Sequence, residues 1–168
     1  MALAPNIEGI LIGGGLTLAG TVLAQGVATW LAWRERDYKR KLLQLDRLEK
    51  IVAAVTESLK WYNTHCALKT PEEVSSHPPP PEARQAAMLA QLYFSELEEP
   101  AGAFANALLK YHHLLIDCMD PNIPASGTAQ VLMKMQRDPS LKESFEAHFH
   151  ARIALDNAIA KEAKKYQR

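Results

Sequence analysis

Residues 9–33 run for 25 positions without a charged side chain, and nothing else restricts the folding of this chain so strongly. A helix that spans the hydrocarbon core of a bilayer needs about 20 predominantly apolar residues. A helix packed on a protein core in water ordinarily keeps a charged face. Six of the eight glycines fall before residue 34, where they would weaken a helix in water but are common in spanning helices. The run therefore predicts a single transmembrane helix over 9–33, preceded by a short terminus, 1–8, and followed by a domain over 34–168.

A cleaved signal sequence fits less well. It would place a basic start ahead of an apolar core of about 7–15 residues, whereas residues 1–8 hold neither Lys nor Arg. The basic cluster comes afterwards, as Arg34, Arg36, Lys39, Arg40 and Lys41, interrupted by Glu35 and Asp37. Basic flanks stay on the cytoplasmic side. The expectation is an inner-membrane protein with its amino terminus outside and residues 34–168 in the cytoplasm. Trp30 and Trp33 suit the headgroup level, and with the five basic residues they form the expected membrane interface. Cys66 and Cys118 would then lie in a reducing compartment, where no structural disulfide is expected.

Within the run, Gly9, Gly13, Thr17, Thr21 and Gln25 recur at intervals of four, beside a second row, Gly20, Ala24 and Ala28. Small residues let two backbones approach, and threonine or glutamine can bond across the contact. This face predicts helix association. Gly13-Gly14-Gly15 is no phosphate loop, since neither a preceding strand nor the Lys-Ser/Thr ending is present.

From residue 34 onward the pattern is helical, with no convincing alternating run for a sheet. Leu45, Leu48, Val52, Val55, Leu59, Tyr62 and Cys66 alternate by three and four, which keeps one stripe facing a partner. With no Gly or Pro intervening, the first helix should continue unbroken from 9–33 to about residue 68. Thr70-Pro71-Glu72-Glu73 reads as a capping box with proline at the first position. Pro78-Pro79-Pro80-Pro81 closes a connector over 77–81. The apolar phase from Met88 runs on past Pro100 to Cys118 and predicts one long helix, bent at Pro100. A short helix over 125–137 and a last one opening at Asp138-Pro139 complete an all-α fold: a spanning helix continuing into an antiparallel cytoplasmic bundle of three long helices plus short ones. The segment sums, +3 for 34–68, −5 for 69–120 and +3 for 121–168, place the acidic middle between basic neighbours. In that topology residues 120–138 return to the lipid surface, where Lys134 and Arg137 would meet headgroups.

Chemistry is sparse. His113 and Asp117 share a helical face, yet no HExxH, paired CxxC or deaminase pattern accompanies them. Adjacent histidines such as His112 and His113 are expected to divide into one core and one exposed residue. Cys118 falls at an apolar position, as a buried inert thiol would. No catalytic, metal or cofactor site is expected, nor a small-molecule substrate. Balanced charge, 19 basic against 19 acidic residues, argues against nucleic acid.

Leu92-Tyr93-Phe94-Ser95-Glu96-Leu97 gives one further pointer. With the amino-terminal apolar segment and the basic lead into a Leu-rich helix, it resembles a loose set of uncharacterised bacterial membrane-anchored helical proteins, in which proline is expected at the place of Ser95. The resemblance implies a bacterial inner membrane and no activity. The expected function is a non-enzymatic, single-pass membrane-anchored adaptor. It would assemble through its first helix as a homo-oligomer or complex subunit and dock partners on its bundle. The alternative is a phage-related or defence effector that oligomerises to perturb the bilayer.

Overall fold

A computed structural model of the chain describes residues 5–123, 125–139 and 141–166, with side chains from residue 20 onward. Six helices make up these residues: α1 (Pro5–Cys66), α2 (Pro71–Ser75), α3 (Pro81–Tyr93), α4 (Ser95–Cys118), α5 (Gly127–Met135) and α6 (Leu141–Ala163). The chain divides into two units, Met1–Leu43 and Gln44–Arg168.

The continuity expected of the first helix is present in α1. Proline stands at its first residue, and neither Pro nor Gly occurs between Gly26 and its end. Ion pairs at i,i+4 support its exposed surface: Glu35–Lys39 at 2.7 Å, Asp37–Lys41 at 3.1 Å and Asp46–Lys50 at 2.7 Å.

The membrane-spanning assignment is corrected. Among the described residues no helix is long and apolar enough to cross a membrane. The part of the charge-free run with described side chains is 20–33. Thr21, Gln25, Gly26 and Thr29 dilute it, and Arg34 ends it. The side chains of Gly9, Gly13 and Thr17 lie outside the described residues.

Residues 44–168 form a helical bundle. The stripe that α1 buries is Leu48, Ile51, Ala54, Val55, Ser58 and His65, while Val52 remains 43% exposed. The stripe is thus rotated from the three-four series expected, and it admits two polar residues. Ser58 fits because its hydroxyl donates to the Ala54 carbonyl at 2.9 Å. Arg47 lies 3.7 Å over the Tyr93 ring, and His65 meets His112, so α1 and α4 run in the same direction. α6 runs opposite to both: Tyr62 and Tyr111 meet His148, while Glu96 pairs with Lys161 and Lys165 at 3.2 and 2.8 Å. This last contact joins the acidic middle to the basic carboxyl-terminal segment as expected.

The single helix bent at Pro100 is a second correction. The backbone breaks at Phe94 (φ −142°, ψ 86°), and α3 doubles back along α4, with Arg84 beside Ala105 and Asn106. Pro100 stays inside α4. The apolar phase nonetheless survives the break, because Ala86, Ala90, Phe94, Leu97, Ala101 and Phe104 are all buried. Phase alone could not distinguish a bend from a reversal. The reversal also makes α4 parallel to α1 and overturns the return of residues 120–138 toward lipid. α5 docks instead at the Cys66 end of α1, where the Gly127 N–H donates to the Leu68 carbonyl at 2.7 Å.

One local expectation, the capping box, holds, and two further helix starts follow local rules. Thr70 Oγ1 accepts from Glu73 N at 3.2 Å while Glu73 Oε2 accepts from Thr70 N at 3.3 Å, completing the capping box. Pro81 opens α3 at the first helical position. Ser126 caps α5 through the Ala129 N–H.

Candidate functional site

Two features stand out: a buried polar cluster inside the bundle, and an exposed aromatic and basic segment of α1.

The cluster gathers where α1, α4 and α6 meet. His65 Nε2 lies 3.0 Å from His112 Nδ1, and the Trp61 ring stacks on His65 with centroids 4.2 Å apart. His65 is 1% exposed and His112 6%. Two facing ring nitrogens share one proton, so the arrangement suits two neutral imidazoles. Burial, with His112 and His77 nearby, pushes His65 down to about 4, and burial likewise lowers His112. A second group follows one turn away. His148 Nε2 is 2.9 Å from the Tyr62 hydroxyl, and the Tyr111 hydroxyl is 2.9 Å from Thr128 Oγ1 and 3.4 Å from Cys66 Sγ. Burial holds His148 down at about 4 and raises both tyrosines well above their usual range. Burial thus favours the neutral form of the three histidines and both tyrosines.

Among the described residues no group of three or more His, Cys, Asp or Glu could hold a metal ion. His113 and Asp117 are exposed on α4, while the adjacent His112 turns inward. Cys118 is buried and burial raises its thiol, the opposite of an activated nucleophile. Two clefts of the bundle are lined without any of the three buried histidines. One, of about 300 Å³, follows Pro78 to Pro81 and Leu109; the other, of about 410 Å³, lies among Leu45, Leu48, Val52 and Ile159. The cluster is a packed polar core, and its hydrogen bonds fix how the three helices meet.

The exposed segment differs in kind. Val22, Leu23, Val27, Trp30, Leu31, Trp33, Tyr38, Leu42 and Leu43 are each at least half exposed. Arg34 lies 5.4 Å over the Trp30 ring. Lys39 and Lys41 are occupied by Glu35 and Asp37. Of the expected helix-association face, Gly20, Thr21, Ala24, Gln25 and Ala28 are exposed, and a methyl added at Gly20 would meet nothing within 4 Å. Thr29 donates to its own backbone at Gln25, 2.8 Å away.

His65 was not legible as a cluster member, because its partner stands 47 positions away. The available signal was its place one turn beyond Trp61 and Tyr62, on the inward side. Neither the family models nor the curated proteins nor the solved structures gave a match to this chain.

Proposed function

We propose that this chain is a non-enzymatic interaction protein. It associates with a lipid bilayer surface and assembles, as a homo-oligomer or as a subunit of a complex, through the exposed face of α1, leaving the bundle over residues 44–168 to dock partners. One observation supports the reading: large apolar and aromatic side chains are at least half exposed from Val22 to Leu43, next to five basic residues. A soluble surface seldom leaves so many large apolar side chains exposed on one stretch of helix unless something covers them. Indoles beside cations match the amphipathic headgroup layer. Among the described residues the bundle adds no group of three or more His, Cys, Asp or Glu that could hold a metal ion.

Flotation of the full chain with phospholipid vesicles tests this. The wild-type chain is expected to rise with the vesicles, and Trp30→Ser with Trp33→Ser to remain largely at the bottom of the gradient. A wild-type chain that never floats, on neutral or anionic vesicles, would refute the reading.

A further inference from the structure

Five cations lie between residues 34 and 41, but their surroundings differ. Glu35 holds Lys39 and Asp37 holds Lys41, each across one helical turn. Arg34 lies over the Trp30 ring. Arg36 and Arg40 make no ion pair, hydrogen bond or ring contact with any described residue. They stand four apart on one helix, where side chains are neighbours about 5–6 Å apart at Cβ. Trp33 and Leu43, 66% and 50% exposed, share their face, three positions before Arg36 and three after Arg40. The face thus presents an indole, two unpaired guanidinium forks and an aliphatic side chain in sequence.

We infer that Arg36 and Arg40 form a clamp for the phosphate of an anionic phospholipid headgroup, with Trp33 and Leu43 seated in the interfacial layer on either side. This rests on the lipid-surface reading above and deepens it. Charge complementarity selects the occupant, because with Lys39 and Lys41 neutralised in place the local surplus is carried by arginines. Guanidinium matches phosphate oxygens bidentately, whereas ammonium offers only a point charge. The flanking apolar groups favour a phosphate embedded in a bilayer over one free in solution.

The test measures partition of the full chain onto vesicles of phosphatidylcholine alone and of phosphatidylcholine mixed with phosphatidylglycerol. The wild-type chain is expected to prefer the anionic vesicles. Arg36→Gln with Arg40→Gln should lower that partition about thirtyfold, taking about fivefold per basic side chain at an anionic surface. Arg36→Lys with Arg40→Lys keeps the charge and should still lose several-fold, while Glu35→Gln with Lys39→Gln removes a neutral pair and should change little. These side chains are exposed, so helicity by circular dichroism should be unchanged in all three. A double lysine variant that binds as the wild type overturns the clamp, since charge alone would then suffice. Equal floating on neutral and anionic vesicles overturns the clamp while leaving the lipid-surface reading intact. No floating at all overturns both.

Discussion

Lowering the pH should loosen the bundle well before its carboxylates are protonated. His65 and His148 are 1% and 4% exposed, and burial places both at about 4, against about 6.5 for an unfolded histidine. The folded state therefore excludes protons that the unfolded chain accepts. Stability is complete above about pH 6.5 and falls as pH drops toward 4. At pH 5 each histidine contributes a loss of about 2 kcal/mol, so the pair should lower the unfolding free energy by about 4 kcal/mol relative to pH 8. His112, also lowered, adds to this in the same direction. No carboxylate appears among the influences on these rings to offset the charge; those on His65 are His112 and His77. Urea unfolding of the full chain at pH 8 and pH 5, followed by the emission of Trp61 after Trp30→Phe and Trp33→Phe, measures the difference. In His148→Gln, which leaves an amide for Tyr62, roughly half of the two-histidine loss should vanish. A difference below about 0.5 kcal/mol would refute the argument that these imidazoles are buried neutral, as would an undiminished loss in the variant.

Two further outcomes concern the packing. Phe104 is 1% exposed in the core shared by α1, α3, α4 and α6, so Phe104→Ala should cost about 3–5 kcal/mol in the same unfolding assay. Ser95 is the first residue of α4, a position whose N–H a helix does not use, and Phe94 before it lies outside the helical region (φ −142°, ψ 86°). Ser95→Pro should therefore be tolerated and should stabilise by about 0.4–1 kcal/mol, which thermal or urea unfolding would show.

The places where sequence reasoning succeeded are those governed by local chemistry. Thr70 and Glu73 announce their helix start because both halves of the capping box lie within four residues. α1 is legible because nothing in its sequence breaks it. The reversal at Phe94 is not legible, because a buried phase of three and four residues continues through Ala90, Phe94 and Leu97 whichever way the backbone turns. Pro100 drew attention as the stronger local breaker, yet its helix passes through it. The transmembrane assignment leaned on missing charge, and missing charge is not apolarity: Thr21, Gln25, Gly26 and Thr29 dilute the described part of the run. In the candidate site, the division of His112 from His113 follows from helical geometry alone. The meeting of His65 with His112, or of Tyr62 with His148, depends on which helices are neighbours, and that was decided by the turn the sequence concealed. The Leu92-Tyr93-Phe94-Ser95-Glu96-Leu97 string then acquires a structural meaning. Tyr93 receives Arg47, Phe94 and Leu97 enter the core, and Glu96 holds two lysines of the carboxyl-terminal segment.

That corner has a consequence for how such a chain can vary. A single residue joins α3 to α4, so there is no slack: one residue added or removed there would rotate α4 by about 100° and turn Phe104 and Tyr111 away from their neighbours. Changes of length should be better tolerated at the exposed Pro78 of the proline connector, and a tag or cleavage site placed there should leave the four-helix packing undisturbed.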